Sequence, residues 1–134
     1  MYYGQPRFTE HIDFMAVTGH MDVLAANPAT MERHHFAPAC TYKLYHQSGM
    51  HVDLWKDEFA DEIVKRAVDV ELSGRACRIV ERHDLIAMKL RASRLKDDAD
   101  ISEIIKNEAI DETRLQSLVT PAQFDHFLQI NKRT

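Results

Sequence analysis

Four residues with metal-binding side chains recur in two short alternating segments. The first is Arg7-Phe8-Thr9-Glu10-His11-Ile12-Asp13-Phe14, and the second is Met50-His51-Val52-Asp53-Leu54-Trp55. Each reads as a strand, in which side chains at i and i+2 point to one face. His11 and Asp13 therefore share a face opposite Ile12 and Phe14, and His51 and Asp53 share a face opposite Val52 and Leu54. Pairing the two strands with their polar faces aligned gathers two carboxylates and two imidazoles, a donor set suited to a divalent cation. Simple polar–apolar alternation offers a plainer account of the same residues as solvent-facing strand positions.

The elements that must position these residues follow from the rest of the pattern. Residues 11–17 read as a strand, and Thr18-Gly19 opens a short helix that Asn27-Pro28 stops. Residues 41–47 and 50–55 are β-like and flank Ser48-Gly49, a two-residue hairpin turn. Residues 57–67 carry Phe59, Ile63 and Ala67 at helical spacing. Residues 68–73 and 76–80 form a second hairpin around Gly74-Arg75. His34-His35 read as loop or surface residues, and Tyr42, Tyr45 and Trp55 as aromatics that pack a sheet.

From Arg82 the period becomes helical. Leu85, Met88, Ala92 and Leu95 form one stripe flanked by Ile86 and Leu90, and Ile101, Ile104 and Ile105 form the next. Asp111 caps a further helix that Ile110 and Leu115 staple. Thr120, Pro121 and Gln123 give the last helix an N-cap, a proline at N1 and a capping-box partner, with Val119 and Phe124 as its staple. Phe124, Phe127 and Leu128 supply its apolar face. Strands followed by helices predict an α+β domain with a mixed or largely antiparallel sheet and helices packed against it. The expectation is a single domain over residues 1–134, mainly strands over 1–81 and helical over 82–134.

Bulk properties narrow the functional classes. A chain of 134 residues, 45% hydrophobic and 28% charged, suits one globular domain with a real core. A net charge of −4 argues against bulk attraction to nucleic acid, though not against a local basic patch. No apolar run approaches the roughly 20 residues that span a bilayer, and no signal-peptide pattern is visible. Cys40 and Cys77 fit no CxxC spacing and read as reduced thiols. The expected address is cytoplasmic, with no membrane partner.

Three stretches together resemble the nucleotidyltransferase fold, in its branch of bacterial abortive-infection and toxin–antitoxin proteins. "YGQPRFTEHIDF" is similar to that family's Gly-x-x-Arg-x-Thr-x-Asp-hydrophobic-Asp segment. "HVDLW" is similar to the later strand that brings a third carboxylate. "HDLIAMKLRASRLKDDADI" is similar to a downstream helical motif, a lysine followed by Lys-Asp-x-x-Asp. The resemblance implies catalytic and metal-binding roles for Asp13 and Asp53. It implies nucleotide or acceptor contacts for Arg7, Thr9, Lys89, Lys96 and Asp97. Lys89 also reads as a residue bordering the core of an amphipathic helix, and Lys96, Asp97, Asp98 and Asp100 as a solvated turn and helix start.

The sequence departs from the family pattern at two points. His11 stands where the family has its first aspartate, which removes a negative charge and offers nitrogen. Mg²⁺ and Mn²⁺ suit the carboxylates, whereas His11 as a ligand brings Zn²⁺ or Ni²⁺ into range. The helix and Gly-Gly or Gly-Ser turn that normally precede this motif are not seen ahead of it, so the first residues read as an internal stretch of a longer ancestor. The implied function is nucleotidyltransferase-like with impaired catalysis, acting as an interaction module in a toxin–antitoxin-like system. The alternatives are an active metal-dependent enzyme that transfers a nucleotide to RNA or protein, and a His/Asp metal site with a hydrolytic role. An uncovered sheet edge predicts a homo-oligomer or a partner protein.

Overall fold

A computed structural model describes the backbone of residues 11–15, 31–35, 40–46, 51–55 and 58–134, with the side chains of Met15 and of residues from 58 onward. The chain divides into two compact units, one within Phe8–Ala67 and the other within Val68–Thr134. The architecture is α+β, with the helices mostly toward the C-terminal end.

The first unit carries β1 (His11–Met15), β2 (Met31–His35), β3 (Cys40–His46), β4 (His51–Trp55) and α1 (Ala60–Lys65). The four strands form one sheet in the order β1-β4-β3-β2. β1 runs parallel to β4, while β4–β3 and β3–β2 are antiparallel, so the sheet is mixed. Antiparallel neighbours close in sequence need only a short connection, whereas a parallel pair needs a long crossover. The chain between β1 and β4 includes β2 and β3, which supplies that length. His34 and His35, read from the sequence as loop or surface residues, lie on a strand rather than in a loop, on β2 paired with Lys43 and Tyr42. Strand pairing overrides the weak local propensity of this polar stretch. The Thr18–Asn27 helix and the Ser48-Gly49 turn lie outside the described residues. α1 buries Ala60 and Ile63, and its acidic Asp61 and Glu62 complement the N-terminal end of the helix dipole.

The second unit opens with a hairpin of β5 (Val68–Leu72) and β6 (Arg75–Ile79). Leu72 pairs with Arg75, so the turn residues are Ser73 and Gly74 rather than the expected Gly74-Arg75. Both have positive φ, 52° and 77°, as a type I′ turn demands, and that turn matches strand twist. Four helices follow: α2 (Arg82–Ala92), α3 (Leu95–Asn107), α4 (Glu112–Gln116) and α5 (Pro121–Arg133). Among the described residues no helix is long and apolar enough to cross a membrane.

The helical core is built from Ile86, Ala87 and Leu90 of α2, Ile101 and Ile104 of α3, Leu115 of α4, and Phe127 and Ile130 of α5. On α2 the buried stripe is His83, Asp84, Ile86, Ala87 and Leu90, one register step from the stripe expected through Leu85, Met88 and Ala92. Leu95, expected on that stripe, is 91% exposed, because Ser93 ends α2 in the left-handed region (φ 54°) and the chain changes direction before it. On α5 Ile130 is buried while Leu128 is exposed, since positions 127 and 130 lie only about 60° apart around the helix and 128 falls about 100° to the other side of 127.

The caps are local and follow the sequence closely. Thr120 Oγ1 accepts from Gln123 N–H at 3.2 Å, and Gln123 Oε1 accepts from Thr120 N–H at 3.0 Å, a complete capping box. Val119 and Phe124 both pack on the core as the staple. Asp111 Oδ1 accepts from Arg114 N–H at 3.1 Å and starts α4. Glu81 caps α2, its Oε2 accepting from His83 N–H at 2.8 Å and Asp84 N–H at 3.3 Å.

Candidate functional site

In the first unit the parallel register sets His11 opposite His51 and Asp13 opposite Asp53. The two acidic positions are therefore on adjacent strands at the same level. The antiparallel registers extend each level across the sheet. Asp13, Asp53, Lys43 and His34 form one row, and His11, His51, Tyr45 and Glu32 form another. In a pleated sheet, rows two positions apart belong to the same face. Lys43, at the level of Asp53, was not singled out from the sequence. The signal that finds it is the hairpin register between β3 and β4, which depends on a turn length that composition alone does not fix. Arg7 and Thr9 lie outside the described residues.

Lys89, Lys96 and Asp97 belong to the second unit and lie in or beside the α2–α3 connection. The helical spacing of Asp97, Asp100, Ile101 and Ile104 puts two carboxylates on the buried stripe of α3. Buried carboxylates require partners, and α2 and the connecting turn provide them. Lys89 Nζ donates to Asp100 Oδ2 at 2.8 Å and lies 3.7 Å from Asp97 Oδ1. Arg94 grips Asp97 with both ends of its fork, Nε to Oδ2 at 2.7 Å and Nη2 to Oδ1 at 3.1 Å, a bidentate geometry of the strong kind. The Arg94 backbone N–H adds a third bond to Oδ2 at 3.1 Å.

Asp97 is 1% exposed. Burial works to raise its carboxyl, but the Arg94 hydrogen bonds, the Arg94 charge and the Lys89 charge outweigh it and hold the group below its usual value. The cluster is thus a fully engaged ionic joint between two helices. Lys96, by contrast, is exposed. A phosphate seeking Lys89 would have to compete with two carboxylates, while Lys96 presents its ammonium to solvent.

Among the residues whose side chains are described, no group of three or more His, Cys, Asp and Glu is arranged to hold a metal ion. The side chains of His11, Asp13, His51 and Asp53 lie outside that set. No known protein-family model matches this sequence, and no curated protein sequence matches it.

Proposed function

We propose that this chain is a nucleotidyltransferase-like module with an altered metal motif and reduced catalysis, serving as the interaction component of a toxin–antitoxin-like pair. The observation that carries the reading is the parallel register of β1 and β4, with Asp13 opposite Asp53. Nucleotidyl transfer depends on carboxylates from neighbouring strands that share a cation, and this register suits that need. The donor set fits a divalent cation. Asp13 and Asp53 supply hard oxygen ligands for Mg²⁺ or Mn²⁺, and His11 shifts the preference toward Mn²⁺, Zn²⁺ or Ni²⁺. When bound, such a cation neutralises polyphosphate charge and lowers the pKa of an attacking hydroxyl. Arg7, Thr9 and Lys96 are the candidates for contact with nucleotide or acceptor, and Lys89 and Asp97 hold the helices that present Lys96.

The replacement of an aspartate by His11 supports reduced turnover, because one negative charge of the usual cation clamp is gone. The second reading, an active metal-dependent transferase acting on RNA or protein, draws on the same Asp13–Asp53 pairing. Incubating the full chain with each labelled nucleoside triphosphate, Mg²⁺ or Mn²⁺, and RNA or protein acceptors separates the two. The interaction module binds Mn²⁺ in calorimetry, loses that binding in Asp13→Ala and Asp53→Ala, and transfers little or no label. Robust transfer abolished by the same substitutions establishes the active enzyme instead. Metal binding indifferent to both substitutions overturns both readings.

A further inference from the structure

The imidazole of His83 joins the starts of two helices. His83 is 2% exposed and lies in the first turn of α2. Its Nδ1 is 2.7 Å from Glu81 Oε1, the N-cap carboxylate of α2. Its Nε2 is 2.9 Å from the backbone nitrogen of Asp111, the N-cap of α4. A backbone N–H can only donate, so Nε2 is the acceptor and Nδ1 carries the ring proton toward Glu81. The ring is therefore held in one tautomer by its two partners.

A second proton on this ring has only Nε2 to occupy. There it would face the Asp111 N–H, donor against donor, and one part-buried hydrogen bond would become a repulsion. The Nδ1 bond to Glu81 would survive and strengthen as a charged pair. The ring's partners are the Glu81 carboxylate at the start of α2 and the Asp111 backbone at the start of α4, and the charged residues on those two helix starts and the adjoining end of α3 are Glu81, Arg82, Asp84, Asp111, Arg114 and Glu108. Arg114 Nη2 is 3.9 Å from Glu81 Oε2, and Arg82 Nη1 is 3.4 Å from Glu108 Oε2. The helix on the losing side is short. α4 has five residues and buries only Leu115 within them, its other ties being the Arg114–Glu81 pair and the flanking Ile110, Leu118 and Val119 on the core, so its N-terminal end is the place where loss of the Asp111 bond is felt first.

We infer that His83 is a pH-operated latch: with Nε2 unprotonated it ties α4 to α2, and protonation of Nε2 releases the N-terminal end of α4 while α2, α3 and α5 stay packed. The other described imidazole pair is of a different kind: His126 Nε2 is 3.0 Å from a carboxylate oxygen, Asp98 Oδ2, and no backbone N–H competes for that nitrogen in the contact.

The test is hydrogen exchange and ¹⁵N imidazole NMR on the full chain from pH 8 to pH 5. The His83 Nε2 shift at pH 8 should be that of an unprotonated acceptor. Protection factors, corrected for intrinsic exchange, should fall about tenfold or more at Asp111 and Leu115–Leu118 toward pH 5 and hold steady in α5. His83→Gln, whose amide can donate to Glu81 and accept from Asp111, should remove the pH dependence. Loss of protection spread equally over α4 and α5, an Nε2 protonated at pH 8, or an unchanged profile in His83→Gln would each overturn the latch. If His83→Gln does not fold, the comparison of α4 with α5 in the unsubstituted chain decides alone.

Discussion

Lys89 and Asp100 face each other across two helices, with Nζ and Oδ2 2.8 Å apart and both side chains largely withdrawn from water. The pair shares its cation with Asp97, whose own carboxylate is clasped by Arg94. In this arrangement α2 supplies one charge, α3 supplies two, and the connecting turn supplies the fourth. Removing one member leaves a buried charge with less compensation than it had.

Lys89→Ala should therefore destabilise the helical unit by about 3 kcal/mol, in the range for breaking a buried ion pair from one side. Replacing both partners, Lys89→Met with Asp100→Leu, should recover much of that loss, because an apolar pair needs no compensation. Urea unfolding midpoints of the single and double variants check both statements. A double variant less stable than either single one would refute the assignment of this pair as a joint.

The carboxyls of Asp97 and Glu81 are both held below their usual values of 3.8 and 4.5. For Glu81, burial works to raise the carboxyl, and the His83 side-chain hydrogen bond, the charge of a protonated His83 ring, the His83 backbone hydrogen bond and the Arg114 charge together outweigh it. The stability these groups contribute is fully present above their unfolded values and is lost as pH falls through the lowered folded values. Acid unfolding should consequently steepen below about pH 4.5, and Asp97→Asn should flatten that limb while lowering stability at neutral pH. Circular dichroism melts from pH 3 to pH 7 measure it. Because the Glu81 carboxyl is held below 4.5, it stays ionised down to pH 5, the lower end of the latch experiment.

Ser93 ends α2 at φ 54°, a left-handed conformation that costs a residue with a side chain and costs glycine nothing. Ser93→Gly should stabilise the unit by about 0.5–1 kcal/mol, and Ser93→Val should destabilise it by a larger amount. Equal melting temperatures for all three would show that the turn relaxes when substituted.

Thr120→Ala removes the hydroxyl that accepts from Gln123 N–H and should cost about 1 kcal/mol. Thr120→Asp should retain most of that stability, since a carboxylate serves the same cap. Chemical denaturation compares the two.

Divalent metal should raise the melting temperature of the full chain if the sheet binds it. A ligand at a hundredfold excess over its Kd stabilises by about 2.7 kcal/mol when it binds only the folded state. Mn²⁺ should give such a shift, chelator should abolish it, and Asp13→Ala with Asp53→Ala should not respond. His11→Ala should weaken Zn²⁺ or Ni²⁺ more than Mg²⁺, because imidazole contributes most to the borderline metals.

The caps at Thr120 and Asp111 were legible because their partners lie within three residues, where chain geometry leaves little choice. The buried stripe of α2 was less so. His83 and Asp84 are polar and look solvent-facing in a linear reading, yet both are buried, and for His83 the reason is that both ring nitrogens find partners, in Glu81 and in the Asp111 backbone N–H. Asp97 and Asp100, which read along the chain as part of a solvated turn and helix start, are instead buried, because Lys89 and Arg94 compensate their charges. The mixed order β1-β4-β3-β2 required the strand partners themselves.

The alternation of His11, Asp13, His51 and Asp53, the helix caps and the shift from strand to helix near residue 82 are properties of neighbouring residues, and they can be read along the chain. The level of Asp13 with Asp53 and the engagement of Lys89 with Asp97 and Asp100 join residues distant in sequence. Those relations exist only once strand register and helix packing are chosen. That choice comes from burying apolar surface over whole elements and satisfying the polar groups buried with it, a balance that no short segment contains.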